Sequence, residues 1–218
     1  MDNNSEILKP KAKPSVVRLF IAICGTFVAV FCLSMFNQHL LMSFPLLLRM
    51  VLMIVTQWLL FLVPAILMIM NKEKLSSIGY KKEKISLQIS IGVLLAVCMS
   101  LVLTVLPILL GFKEMVGSTS YTQAWQFIYQ FIYAIFGVAL AEELTFRGYI
   151  FHKLLEIKNS KWFAIIISSL LFGLFHIFNG NIIQIFITAF IGFLYCVFRE
   201  KIKGCTLLSL IIAHGVYD

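Results

Sequence analysis

The chain has 218 residues, of which 61% are hydrophobic and 13% are charged, and its formal net charge is +8. An ordinary soluble domain is about half apolar and about a quarter charged, so this composition argues against a soluble fold and favours a polytopic membrane protein. The lysines and arginines cluster between the apolar runs. This positive-inside pattern predicts the lipid bilayer as a partner, no nucleic acid, and a cytoplasmic N-terminus.

Seven apolar runs follow one another along the chain, and each predicts a membrane-spanning helix. A polar tail at residues 1–15 precedes them and is expected to be cytoplasmic. The predicted spans are residues 16–36, 44–70, 86–112, 124–157, 161–178, 181–198 and 205–218. Pro64 is expected to kink the second span, Gln57 to make an interhelical hydrogen bond, and Asn179 and Gly180 to form an outer turn. The predicted fold class is all-α, a polytopic transmembrane bundle of about seven (six to eight) spans.

Two adjacent acids and an arginine interrupt the fourth apolar run. A charged side chain at the centre of a bilayer costs about 2.5 to 3.5 kcal/mol, so such residues are rare and are candidates for function. Glu143 and Arg147 lie four residues apart and share one helix face, so they can pair. Glu142 lies about 100° around an α-helix from Glu143, so it stays free for chemistry. A buried structural ion pair is the alternative, but it accounts for only one of the two acids.

Two histidines and an aspartate fall on later helices. His176 follows Phe172 by four residues, and His214 precedes Asp218 by four residues. The lysines Lys153, Lys161 and Lys203 mark the expected inner rim of the membrane. At 1.5 Å per residue from these lysines, Glu142 and the three later polar residues lie about 16 to 22 Å inward. Three separate segments therefore bring acids and imidazoles to one layer near the middle of the bilayer. Taken singly, each histidine could instead be a core residue or part of a helix-end polar pair.

A layer of this kind can hydrolyse an acyl bond in two ways. A desolvated glutamate can act as a general base that activates water, while imidazoles orient the water or stabilise an oxyanion. Alternatively, zinc or another divalent metal can activate the water. The metal ligands would then be His176, His214, Asp218 and Glu142. The residues leave both routes open, so no cofactor is certain.

The order of the motifs EExxxR, FxxxH and HxxxN/D resembles the CAAX-prenyl-protease and bacteriocin-processing (CPBP, or Abi) family of intramembrane proteases. The matching residues are Glu142, Glu143, Arg147, Phe172, His176, His214 and Asp218. The resemblance covers residues 123–218, expected to be the transmembrane catalytic core, which follows N-terminal transmembrane helices at residues 16–122.

By this resemblance, Glu142 activates the water and Glu143 pairs with Arg147. His176 and His214 help to hold the water or the oxyanion, with Asp218 beside them. Asp218 stands where the family commonly has asparagine, and this departure slightly favours a metal-ligand role.

The resemblance implies an intramembrane endopeptidase, of the glutamate type or a metalloprotease, that cleaves hydrophobic or membrane-anchored peptides. In the plasma membrane of a bacterium, bacteriocin maturation, self-immunity or signal-peptide-like processing is expected rather than cleavage of prenylated substrates. One alternative is a non-catalytic immunity or scaffold protein of the same fold that binds a peptide or partner helix. Another is a proton-coupled transporter. The set of acids and histidines favours the enzyme, and their confinement to one end of the chain disfavours the transporter.

Overall fold

The structure is a computed structural model that describes residues 12–116, 119–178 and 182–218. Over these ranges it contains eight helices and no β-strand. The helices are α1 (Ala12–His39), α2 (Leu46–Gln57), α3 (Leu59–Met70), α4 (Ile85–Leu109), α5 (Ala124–Ile157), α6 (Lys161–Leu174), α7 (Ile182–Lys201) and α8 (Leu207–Tyr217). Short 3-10 turns lie at Leu41–Ser43, Leu75–Ile78 and Lys113–Met115. Residues 1–11 of the predicted tail and the predicted Asn179–Gly180 turn lie outside the described residues.

The helices differ in whether they are long enough to cross a membrane. Among the described residues, α1, α4, α5 and α7 are long and apolar enough to cross a membrane. Helices α2 and α3 pass the same test only as a pair, and they are bent by 42° at their junction. The apolar helices α6 and α8 have 14 and 11 residues, so they extend only about 21 and about 16 Å, against a hydrocarbon core of about 30 Å. The all-helical membrane class is confirmed, whereas the count of about seven spans stays a prediction.

The bend in the second predicted span lies at Trp58 and not at Pro64. Pro64 has no N–H to bond the carbonyl of Leu60, but the hydroxyl of Thr26 in α1 donates to that carbonyl at 3.3 Å. Helix α3 therefore continues through the proline. At the actual break, the indole Nε1 of Trp58 donates to the carbonyl oxygen of Phe136 in α5 at 3.1 Å. The expectation of a kink at Pro64 was wrong because neighbouring helices supply these hydrogen bonds.

Helix α5 occupies the centre of the bundle, in contact with α1, α2, α3, α6 and α8. It is one continuous helix, but its winding changes along its length. Two π-helical segments, Tyr133–Ala139 and Leu144–Ile150, flank a single α-helical turn at Leu140–Glu143. Such π segments are rare and occur frequently at functional sites. A wheel of 3.6 residues per turn therefore does not describe which residues of α5 share a face.

Helix α8 packs closely between α4 and α5. A methyl group at Gly215 would lie 2.7 Å from the Cα of Ile135 in α5, and one at Gly92 in α4 would lie 2.7 Å from the carbonyl oxygen of Ser209. Small residues at helix contacts in membranes permit this approach of backbones. Thr206 caps the start of α8 in a capping box with Ser209. These contacts fix the position of the polar residues further along α8.

Candidate active site

Glu143 and Arg147 form a buried ion pair on α5. Glu143 Oε1 lies 2.9 Å from Arg147 Nη1, and the side chains are 0% and 1% exposed. The guanidinium carbon lies 3.9 Å from the ring centroid of Phe172 in α6 and 5.6 Å from that of Tyr195 in α7. Aromatic ring faces attract a cation and replace part of the water that it has lost. The pairing expected from the four-residue spacing is present in the structure.

His214 connects α8 to the carboxylates of the site. Its Nδ1 lies 2.9 Å from Glu143 Oε1. Its Nε2 lies 3.2 Å from Asp218 Oδ2 and 3.8 Å from Glu142 Oε2. An imidazole ring that carries a proton on each nitrogen donates to Glu143 and Asp218 at the same time. Glu143 is thus shared between Arg147 and His214, whereas Glu142 is not shared in this way.

Glu142 lies on the wall of a partly open cavity of about 220 Å³ between the helices. The residue is only 8% exposed, and its Oε2 atom has no hydrogen-bond partner. His176 lies on the same wall, and the other polar lining residues are Ser34, Asn37, Gln57 and Tyr133. A polar cavity of this size has room for ordered water. A carboxylate that lines such a space and has one ionic contact, at 3.8 Å to His214, has the arrangement that a general base needs.

His176 lies just beyond the end of α6. Its Nδ1 is 2.8 Å from the carbonyl oxygen of Phe172. Because a carbonyl only accepts hydrogen bonds, Nδ1 carries the hydrogen, and in the neutral ring Nε2 is then an acceptor. The rings of His176 and Phe172 also meet edge-on, with centroids 4.9 Å apart. These contacts hold the imidazole at the cavity wall with Nε2 as the atom available to water.

The four residues expected as metal ligands do not form a ready metal site. Among the residues that the structure describes, no group of three or more His, Cys, Asp or Glu side chains is placed to hold a metal ion. The Nδ1 atoms of His176 and His214 are both engaged with oxygen atoms. A metal would therefore have to use their Nε2 atoms together with the carboxylate of Glu142 or Asp218. The involvement of zinc or another divalent metal stays a prediction.

Gln57 and Tyr133 are cavity residues that the sequence did not place at the site. Gln57 makes the interhelical hydrogen bond expected of it, since its Nε2 donates to the Tyr133 hydroxyl at 2.8 Å. Tyr133 and Glu142 are nine positions apart in the sequence. On a regular α-helix this spacing puts them on opposite faces. The π-helical segment that begins at Tyr133 changes the winding between them, and both line the same cavity. Residue spacing alone gave no signal for Tyr133.

No curated protein and no solved structure matches the chain. Residues 124–218 match the family model described as type II CAAX prenyl endopeptidase Rce1-like. This range begins at the first residue of α5 and contains all six predicted site residues, and the match confirms the resemblance that the three motifs indicated. Residues 124–218 are therefore similar to the family of type II CAAX prenyl endopeptidases.

Proposed function

We propose that the protein is an intramembrane endopeptidase in which Glu142 activates water for the hydrolysis of hydrophobic or membrane-anchored peptides. The observation that carries this proposal is the difference between the two adjacent acids. Glu143 contacts both Arg147 and His214 at 2.9 Å, whereas Glu142 contacts His214 at 3.8 Å and lies on the wall of a cavity that also holds His176. The similarity of residues 124–218 to a family of endopeptidases supports the same reaction class.

In the proposed reaction, Glu142 removes a proton from a water molecule as the water oxygen attacks the carbonyl carbon of the scissile peptide bond. His176 Nε2 accepts a hydrogen bond from the same water and orients it. The tetrahedral intermediate carries an oxyanion, which donors on the cavity wall stabilise. Glu142 then gives its proton to the amide nitrogen as the C–N bond breaks. The products are a carboxylic acid and an amine, and Glu142 returns to its starting state.

The remaining polar residues hold this arrangement in place. Glu143 fixes Arg147 on its own helix and His214 on α8. His214 Nε2 in turn lies 3.8 Å from Glu142 Oε2, so the imidazole restrains the position of the base. Groups that are held before the reaction begins lose little freedom at the transition state, and this preorganisation is a large part of enzymatic catalysis.

We further propose that the protein acts in the plasma membrane of a bacterium, with its N-terminus in the cytoplasm. The cavity wall includes Leu33, Ser34 and Asn37, near the C-terminal end of α1. The positive-inside pattern assigns this end of the helix to the outer side. Such a position suits peptides that are crossing the membrane, for example bacteriocin precursors or signal-peptide-like segments.

Cleavage of a membrane-peptide library by the purified protein tests the proposal. We expect Glu142→Gln to lower the rate at least about 100-fold, the lower range for loss of a general base, without a loss of thermal stability or a change in elution volume. Glu114→Gln is the matched control, since it makes the same substitution at an exposed residue of the Lys113–Met115 turn. Full activity of Glu142→Gln would contradict the proposal. A folded wild type that cleaves no peptide would favour a non-catalytic immunity or scaffold protein.

A further inference from the structure

The proposed hydrolysis needs a hydrogen-bond donor for the oxyanion, and the acidic residues of the site do not supply one. Donors held in place before the reaction stabilise the oxygen of a tetrahedral intermediate. Asp218 carries a carboxylate, which as an anion only accepts hydrogen bonds. His214 already faces Glu143 and Asp218 with its two ring nitrogens. A further donor is therefore expected elsewhere on the cavity wall.

The hydroxyl of Tyr133 has the required chemistry. The amide Nε2 of Gln57 donates to this hydroxyl at 2.8 Å, which leaves the hydrogen of the hydroxyl free to be donated in turn. Both residues line the cavity that contains Glu142 and His176. A free donor thus faces the space in which the peptide carbonyl would be attacked.

The position of this hydroxyl is fixed from two sides. Gln57 is the last residue of α2, and the next residue, Trp58, donates to the carbonyl oxygen of Phe136. Two side-chain hydrogen bonds therefore join the α2–α3 bend to the π-helical segment of α5. On its other side the Tyr133 ring is stacked with Tyr129, with centroids 6.2 Å apart. A donor restrained in this way needs little reorganisation when negative charge develops.

We propose that Tyr133 is a catalytic residue that donates a hydrogen bond to the oxyanion, and that Gln57 is the positioning residue that orients its hydroxyl. This inference rests on the proposed function and adds a role that the three motifs do not contain. The hydroxyl keeps its proton throughout, so no bond to Tyr133 forms or breaks. The oxyanion site would then be built from residues of α2 and α5.

Three variants test the assignment in the peptide-cleavage assay. Tyr133→Phe should lower kcat about 100-fold or more, the usual effect of removing one oxyanion donor, with KM unchanged. Gln57→Met should lower kcat by a smaller factor, because the hydroxyl remains but is no longer oriented. Tyr121→Phe is the matched control and should keep the wild-type kcat, since Tyr121 is exposed and does not line the cavity.

The same Tyr133→Phe substitution in an Asp218→Asn background distinguishes a loss of oxyanion stabilisation from a loss of folding. Asp218→Asn introduces an amide that can donate, so Tyr133→Phe should cost a smaller factor in kcat there than in the wild type. An unchanged kcat in Tyr133→Phe, with Glu142→Gln inactive, overturns the role of Tyr133 and leaves the proposed function intact. If Tyr133→Phe does not fold, an unchanged kcat in Gln57→Met overturns it in the same way. An inactive wild type, or a fully active Glu142→Gln, overturns both proposals.

Discussion

Replacement of Arg147 by methionine should destabilise the protein far more than replacement of Glu142 by glutamine. Arg147 is the cation of an ion pair in which both side chains are almost fully buried. Removal of one partner from a buried pair typically costs about 3 to 5 kcal/mol, because the other charge is left without compensation. Methionine is the suitable replacement, since its unbranched apolar side chain can still pack on the ring of Phe172.

We expect the loss of unfolding free energy to lie toward the lower end of that range, because Glu143 keeps a second partner. After Arg147→Met, Glu143 keeps the contact with His214 Nδ1 at 2.9 Å. The cation on the Phe172 ring is also lost, and a desolvated contact of this kind contributes about 2 kcal/mol. We therefore expect the free energy of unfolding to fall by about 3 kcal/mol. The double variant with Glu143→Gln should recover most of this loss, because both buried charges are then absent.

Glu142→Gln should behave in the opposite way. The Oε2 atom of Glu142 has no hydrogen-bond partner, so its replacement by a neutral amide removes a buried, poorly compensated charge. The free energy of unfolding should stay the same or rise while activity is lost. This combination is typical of active-site residues, whose arrangement favours reaction over stability. The pair of variants therefore separates the acid that supports the fold from the acid proposed to react.

Unfolding of the purified protein in detergent micelles measures these differences. Tryptophan fluorescence during a denaturant titration is suitable, since the chain contains three tryptophans. An unfolding free energy of Arg147→Met within about 0.5 kcal/mol of the wild type, the range of an ordinary surface substitution, would contradict the expected loss of a buried ion pair. A double variant no more stable than Arg147→Met alone would contradict it as well.

Two further predictions concern a helix contact and the metal. Thr26→Val should lower the free energy of unfolding by about 1 kcal/mol, because it leaves the Leu60 carbonyl without its donor. Thr56→Val is the control, since the Thr56 hydroxyl bonds a carbonyl of its own helix. An equal loss of unfolding free energy in both variants would contradict the role of Thr26. Cleavage by the wild type should persist after treatment with a chelator, because the proposed reaction uses only protein groups and water. Loss of cleavage that zinc restores would instead identify His176 and the neighbouring acids as ligands.

The long helices could be predicted because the signals for them are local. The lengths of the apolar runs and the basic residues between them sufficed to locate α1, α4, α5 and α7. The bend between α2 and α3 could not be placed in the same way. It depends on Thr26 meeting the Leu60 carbonyl and on Trp58 meeting the Phe136 carbonyl. These partners are 34 and 78 residues apart in the chain, so no local pattern reports them.

The same distinction applies to the site. The pairs Glu143–Arg147 and His214–Asp218 follow from a spacing of four residues on one helix, and both contacts are present. Tyr133 could not be predicted because residue spacing on a regular α-helix does not show which residues of a π-helical segment share a face. Residue types identified the chemical groups, but the winding of α5 determines which of them share the cavity.

The short length of α6 bears on how water is available to the proposed site inside the membrane. The helix ends at Leu174, about 21 Å from its first residue, and the chain then turns at Phe175 and His176. Irregular backbone at such a depth is tolerated only where protein covers it or where it borders water. Both residues border the cavity of Glu142. The early end of α6 therefore places non-helical backbone beside a polar cavity, and water held there would be the reactant that the surrounding hydrocarbon cannot provide in the proposed reaction.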